Sequence, residues 1–197
     1  MEAGMRDAEV IRSAIESTME CLESLMDDER VGLILQASTA ITDSIRKGNK
    51  LMICGNGGSA ADAQHLAGEF MCRFLKNREP LPAVALTTDS SVLTSISNDY
   101  SYADVFERQV RALGKEGDVL LGISTSGNSV NVLNALAEAG RRGIGTILLT
   151  GETQTAGGLA DLVITVPSTN TPRIQEAHLL IEHVIAELVE QELCKDD

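Results

Sequence analysis

The sequence has few basic residues: 16 Lys and Arg stand against 29 Asp and Glu, a formal net charge of −13. Nucleic acids and anionic membrane surfaces attract basic patches, so this balance opposes either one as a partner. The four cysteines show no Cys-x-x-Cys spacing, which argues against a zinc ribbon or a redox pair and predicts reduced thiols. No apolar run approaches about 18 residues, and residues 1–7 lack the basic-then-apolar order of a signal peptide. We therefore expect a cytoplasmic protein with no membrane span.

The chain nevertheless has enough apolar residues to form a core. Its 197 residues are 43% hydrophobic, which fits a single domain spanning residues 1–197. Apolar residues recur at helical spacing over about residues 7–47 and predict two N-terminal helices. The first helix needs a partner for its apolar stripe, and we expect these helices to contribute to oligomerisation. The alternative is that the first helix lies across its own domain.

Strand-like and helix-like segments alternate after Gly48. Five short apolar runs predict strands: Lys50–Cys54, Ala83–Leu86, Val119–Ile123, Thr146–Thr150 and Leu162–Val166. Helical patterns connect and follow them: Ser59–Phe74, Ser90–Asn98, Val105–Leu113, Ser129–Arg142 and about Pro172 to Leu193. This alternation predicts an α/β fold in which a five-stranded parallel sheet is flanked by helices on both faces, a three-layer sandwich of the flavodoxin or Rossmann type.

A glycine-rich turn, Cys54–Ala60, joins the first predicted strand to a helix. Backbone N–H groups and the helix dipole favour an anion at such a position, and ligands of open parallel sheets bind at the carboxyl ends of the strands. The turn could hold a phosphate, but a glycine-rich turn is often only a turn. It also fits the loose GxGxxA dinucleotide pattern.

A second loop, Ser124–Ser129, follows the strand Val119–Ile123 and again opens a helix. Ser and Asn at such a position commonly cap the helix, and we expect one or two of these side chains to do so. Four hydroxyls exceed that need, and they suit a phosphate monoester, whose oxygens accept hydrogen bonds. No Walker lysine follows either loop, which disfavours a nucleoside triphosphatase.

Candidate acid, base and metal ligands lie on two predicted helices. His65 and Glu69 are four residues apart and share one helix face, although such pairs are also frequent on exposed surfaces. On the last helix, Gln175 lies near both His178 and His183, and spacing does not distinguish a functional histidine from a buried, hydrogen-bonded one.

These motifs resemble the sugar isomerase (SIS) domain family and, within it, the phosphoheptose isomerases. The resemblance covers nearly the whole chain and rests on four segments: Cys54–Ser59, Asn98–Asp99, Gly122–Ser129 and Arg173–Glu176. It implies aldose–ketose isomerisation of sedoheptulose 7-phosphate to D-glycero-D-manno-heptose 7-phosphate through an enediol. That reaction is the first step of bacterial ADP-heptose synthesis for lipopolysaccharide core or other surface heptose.

The resemblance also implies a set of site residues, a metal and an assembly. It implies Glu69 and His183 as the proton-transfer pair and one zinc ion per subunit, held by His65, Glu69, Gln175 and His183. It implies a homotetramer, in which Glu69 and His183 of one site could come from different chains. The implied substrate contacts are Asn56, Gly57, Gly58, Glu69, Asn98, Asp99, Ser124, Thr125, Ser126, Ser129 and Gln175.

Two other functions fit part of the sequence. SIS relatives include non-catalytic adaptors that bind the bacterial replication initiator, but an adaptor has little physical reason to keep His65, Glu69, Gln175 and His183 together. A dinucleotide-dependent oxidoreductase would use the glycine turn, with Asp89 as a ribose contact, but the spacing is long and the hydroxyl-rich loop would have no purpose. Asn98 and Asp99 could equally form a helix-ending turn.

Overall fold

The computed structural model describes residues 2–152, 158 and 160–194, with side chains from residue 6 onward. One five-stranded, fully parallel sheet runs through it, in the order β2-β1-β3-β4-β5. The strands are β1 (Leu51–Gly55), β2 (Ala83–Ala85), β3 (Val119–Ser124), β4 (Gly145–Thr150) and β5 (Leu162–Thr165). The order reverses beside β1, and such a switch point is where open α/β sheets bind ligands.

Seven α-helices in the described part of the chain surround the sheet. They are α1 (Glu2–Glu23), α2 (Asp28–Arg46), α3 (Gly58–Met71), α4 (Ser90–Asp99), α5 (Val105–Leu113), α6 (Val130–Arg141) and α7 (Thr171–Leu193). Single 3-10 turns follow α1 and precede α5. No helix among the described residues is long and apolar enough to cross a membrane.

Two apolar clusters lie on opposite faces of the sheet because successive strand side chains point to opposite sides. Leu51, Ile53 and Leu121 pack with α2, α3 and α7 on one face. Met52 and Leu120 pack with α5 and α6 on the other. Since both faces are covered, β1 and β3 are buried along their whole lengths, which explains their continuous apolar sequences.

The predicted three-layer α/β fold is therefore confirmed, and every predicted strand is present within one residue at each end. Two helix boundaries are wrong: α1 begins at Glu2 rather than at about residue 7, and the helix after the glycine turn is shorter than predicted. The helix predicted to reach Phe74 ends at Met71, and Cys72 leaves the helical conformation with φ −95° and ψ −85°. The apolar residues beyond Met71 belong to an irregular segment that packs against α7 rather than to a further helical turn.

Candidate active site

The glycine turn lies between β1 and α3 and exposes the amino end of that helix. Gly57 occupies the N-cap position with φ +57°, a conformation that favours glycine. A Cβ on Gly58 would lie 2.2 Å from Nε2 of Gln175, so the Gln175 amide of α7 reaches the turn closely. The first backbone N–H groups of α3 receive no side-chain cap at Gly57, which leaves them suited to a ligand.

Asn56, in the same turn, is held by two residues that the sequence analysis missed. Its amide forms a reciprocal pair with the buried Asn131 of α6, at 2.9 and 2.8 Å. The Tyr102 hydroxyl also donates to Asn56 Oδ1 at 2.9 Å. Asn131 lies two residues after the hydroxyl-rich loop, and that position is the only sequence signal that could have suggested it. Tyr102 offers none.

The hydroxyl-rich loop lies beside the glycine turn because β1 and β3 are adjacent and parallel, with Gly55 opposite Ile123. The buried Ser124 donates through Oγ to Ser129 Oγ at 2.9 Å. Ser129 is the N-cap residue of α6, yet its side chain accepts no hydrogen bond from the helix backbone. The prediction that a serine or asparagine side chain caps this helix is therefore wrong at Ser129, since its hydroxyl pairs with Ser124 instead.

The two remaining hydroxyls of this loop differ in their surroundings. Ser126 is exposed, and its Oγ accepts the N–H of Asn128 at 3.2 Å. Thr125 is half-buried, and its carbonyl accepts the N–H of Gly151. Gly127 has φ +67°, which lets the loop turn back on itself. The four hydroxyl-bearing residues thus share one short turn at the carboxyl edge of the sheet.

Three candidate ligand side chains converge from α3 and α7. Nε2 of His65 lies 2.8 Å from Nε2 of His183 and 3.5 Å from Oε1 of Glu69. One ligand atom from each residue lies within 4.8 Å of the others. All three belong to the same chain, so Glu69 and His183 need no second subunit to meet. Two imidazoles and one carboxylate form a donor set that could hold a divalent metal.

The structure distinguishes the two histidines of α7. His183 joins the cluster and is only half-buried, whereas His178 is fully buried beside the backbone of Thr150. Burial lowers the pKa of His178 to about 4, so this ring is neutral at physiological pH. His178 is therefore a buried core residue outside the cluster of His65, Glu69 and His183.

A buried carboxyl neighbours the cluster. Glu182 is fully buried and neither carboxylate oxygen has a partner among the described residues. Burial, followed by the negative charge of Asp62, raises the pKa of Glu182 to about 8. Burial also raises the pKa of Asp62, partly opposed by His65. Glu182 is therefore protonated at neutral pH and adds little charge near the cluster.

Asn98 and Asp99 end α4, and both are exposed. Asn98 donates to the Asp99 carboxylate at 2.8 Å. They are the last two residues of the helix, and Tyr102, three residues beyond Asp99, reaches the glycine turn. Asp89 accepts the N–H of Val92 and caps α4, so the carboxylate invoked for a dinucleotide ribose already has a structural partner.

This fold and site define a class of proteins. The family model described as SIS domain matches residues 8–151, and the chain contains a SIS domain. Among curated proteins, the phosphoheptose isomerase of Aneurinibacillus thermoaerophilus is 49% identical over 191 residues, covering 94% of this chain and 95% of that protein. Phosphoheptose isomerase 2 of Campylobacter jejuni is 52% identical over 170 residues, covering 86% and 85%.

Solved structures agree with these sequence matches. A phosphoheptose isomerase from Neisseria gonorrhoeae superposes with a TM-score of 0.82 at 40% identity, covering 96% of this chain and 99% of that one. One from Francisella tularensis gives 0.84 at 36% identity, covering 97% and 100%. The chain belongs to the phosphoheptose isomerase family.

Proposed function

We propose that this protein is an isomerase that converts sedoheptulose 7-phosphate to D-glycero-D-manno-heptose 7-phosphate. The observation that carries the proposal is the convergence of His65, Glu69 and His183 within 4.8 Å, beside two loops suited to a phosphorylated ligand. An aldose–ketose isomerase needs a base, an acid and stabilisation of oxyanion charge at one place. The adaptor function has no observation in its favour.

The reaction moves protons and leaves the carbon skeleton intact. Glu69 removes the proton from C1 of the ketose, and the electron pair forms the C1–C2 double bond while His183 donates a proton to the C2 oxygen. The resulting enediol then loses the C1 hydroxyl proton to His183, and C2 takes a proton from Glu69. Both groups end as they began, so the pair can serve every turnover.

In the resting enzyme, before Glu69 and His183 transfer protons, His65, Glu69, Gln175 and His183 would hold zinc, one ion per subunit. Two imidazoles and a carboxylate are ordinary zinc ligands, and the Gln175 oxygen is an uncommon but reasonable fourth. Zinc would supply Lewis acidity toward the sugar oxygens. The close approach of the Gln175 amide to Gly58 supports Gln175 as a ligand.

The substrate phosphate would bind Ser124, Thr125, Ser126 and Ser129, whose hydroxyls and nearby backbone N–H groups suit pure acceptors. The sugar would lie between this loop and α7. Its remaining contacts would come from the glycine turn, the end of α4 and the helix ligands: Asn56, Gly57, Gly58, Glu69, Asn98, Asp99 and Gln175. The Asn56–Asn131 pair supports this arrangement because it ties the two loops together.

The chain would act as one domain in a cytoplasmic homotetramer. An exposed apolar stripe on α1 supports self-association, since Ile11, Ile15 and Met19 are 61%, 55% and 56% exposed. Size-exclusion chromatography with light scattering tests this: Ile15→Glu should lower the measured mass, whereas Glu16→Gln on the same helix should not. An unchanged tetramer in the Ile15 variant would contradict a role for this stripe.

The function is tested by product formation from sedoheptulose 7-phosphate. Wild type should convert it, whereas Glu69→Gln and His183→Gln should each lose at least about 100-fold in kcat, as expected for a positioned acid or base. Circular dichroism establishes that the variants are folded. His178→Gln is the matched control, since that ring lies in the core. A metal-replete, folded wild type without activity would refute the proposal.

A further inference from the structure

One buried carboxylate of α7 binds three consecutive backbone N–H groups in the segment 72–82, which lies between α3 and β2. This segment contains no helix or strand, so its backbone N–H groups need other partners. Those of Phe74, Leu75 and Lys76 donate to Glu190 of α7 at 3.0, 2.8 and 2.8 Å. Burial acts to raise the pKa of Glu190, but these hydrogen bonds and Arg78 outweigh it and hold the pKa below its ordinary value. Glu190 is therefore a buried anion that binds the segment to α7.

Arg78 connects this carboxylate to the end of α3. Its Nε donates to Glu190 Oε1 at 2.8 Å, and the ion pair is almost wholly buried, with the two side chains 4% and 1% exposed. Its two terminal nitrogens donate to the carbonyls of Glu69 and Phe70, each at 2.8 Å. These carbonyls lie in the last turn of α3, where they lack intrahelical partners. Arg78 thus fixes the backbone of the proposed base.

Phe74 connects the same carboxylate to His183. The Phe74 ring lies against the His183 imidazole, with centroids 5.4 Å apart and the planes inclined by 32°. Glu190 holds the backbone of Phe74 and lies seven residues, about two turns, beyond His183 on α7. One ion pair therefore reaches the Glu69 backbone directly and the His183 ring through Phe74.

We propose that Arg78 and Glu190 form a positioning pair that sets the geometry between Glu69 and His183, with Phe74 as the contact to the imidazole. The inference rests on the proposed function for its catalytic readout. A buried ion pair that served stability alone would connect any two elements. The Arg78–Glu190 pair instead contacts the backbone of Glu69 and the backbone of Phe74, whose ring lies against His183. Glu69 lies on α3 and His183 on α7.

The test compares this pair with a second buried carboxylate of the same kind. Asp118, fully buried, accepts the backbone N–H groups of Lys50 and Lys115 and pairs with the Lys50 ammonium. It precedes β3, at the edge of the sheet opposite the site. Asp118→Asn is thus a matched control that removes equivalent structural bonds far from the proposed chemistry.

Arg78→Lys, Glu190→Gln and Asp118→Asn should all lower the thermal midpoint. The first two alone should lower kcat by about 10- to 100-fold with KM within about threefold, because a displaced group loses rate more than binding. They should also weaken zinc affinity about tenfold, measured by competition with a chromophoric chelator. Asp118→Asn should leave kcat and zinc affinity within about twofold of wild type.

Substitutions of Phe74 test the same positioning role if the Glu190→Gln variant does not fold. Phe74→Leu keeps an apolar side chain but loses the ring, and it should lower kcat about tenfold, whereas Phe74→Tyr should restore it. Variants that lose stability but keep kcat and zinc affinity like the Asp118 control would overturn the proposal. If the wild type has no isomerase activity, the proposed function is refuted. Equal zinc affinity in the wild type and all variants would separately refute the positioning role of Arg78 and Glu190.

Discussion

Replacing Glu182 with Gln should stabilise the protein at alkaline pH. Glu182 is 0% exposed, and its carboxylate oxygens have no partner among the described residues. Its pKa is about 8 in the folded protein, against an ordinary value of 4.5, because burial and then Asp62 disfavour the charged form. The folded protein therefore keeps a proton that the unfolded chain releases, and stability falls as pH rises from about 4.5 to about 8.

The size of the effect follows from the separation of these pKa values. One pKa unit corresponds to about 1.4 kcal/mol, so the full separation amounts to roughly 4–5 kcal/mol above pH 8. The amide of the Glu182→Gln variant carries no charge at any pH and avoids this cost. We expect a gain of about 3 kcal/mol at pH 8.5, where relaxation relieves part of the penalty, and less than about 1 kcal/mol at pH 5. For a chain of this length, that gain raises Tm by roughly 6–12 °C.

Thermal unfolding followed by circular dichroism at pH 5 and pH 8.5 measures this difference. Each comparison is made between variants at one pH, so effects of the other titrating groups cancel. Glu79→Gln is the matched control, because it removes an exposed carboxylate from the segment before β2. Equal Tm values for wild type and Glu182→Gln at pH 8.5, or an equal gain in the Glu79 control, would refute the reasoning.

Three further predictions concern the proposed site. Gly58→Ala should leave Tm nearly unchanged but weaken zinc affinity, measured by chelator competition. The new Cβ would lie 2.2 Å from the end of the flexible Gln175 side chain and displace its amide. Unchanged zinc affinity would argue against Gln175 as a ligand. Ser129→Ala should raise KM about 10- to 100-fold in steady-state kinetics, the value of one hydrogen bond to a charged group, and an unchanged KM would remove Ser129 from the phosphate site. Asn131→Ala should lower the free energy of unfolding, measured in urea, by about 1–3 kcal/mol, because the Asn56 amide loses this hydrogen-bond partner. It should also raise KM. An unchanged KM would show that the Asn56–Asn131 pair does not position the substrate.

The strands were predictable because parallel strands buried on both faces must be apolar throughout. β3 (Val119–Ser124) is buried at every position, and the hydroxyls begin where it reaches the edge of the sheet. The end of α3 was not predictable in the same way. Its apolar pattern continues to Phe74. The helix nevertheless ends at Met71, where the Arg78 guanidinium donates hydrogen bonds to the last helix carbonyls. The position of Arg78 depends in turn on its tertiary contact with Glu190.

Within the site, sequence spacing brought His65 and Glu69 to one helix face, because residues four apart are neighbours on a helix. Spacing did not choose between His178 and His183, which lie on one helix among similar apolar residues. Tertiary packing distinguishes the two histidines, because His178 lies in the core whereas His183 contacts His65 of α3. Asn131 was missed for the same reason, since its amide partner is 75 residues away in the chain.

The sequence by itself determined the α/β architecture, the position of both loops at strand ends and the residue types available for proton transfer. These properties follow from local patterns of polarity and from turn chemistry, which act over a few neighbouring residues. Local patterns left open which histidine joins Glu69, and there the family resemblance implied His183. Only the tertiary structure decided which asparagine supports the glycine turn and where α3 ends. Those outcomes depend on side chains from distant segments meeting at hydrogen-bond distance, and sequence spacing carries no information about such distances.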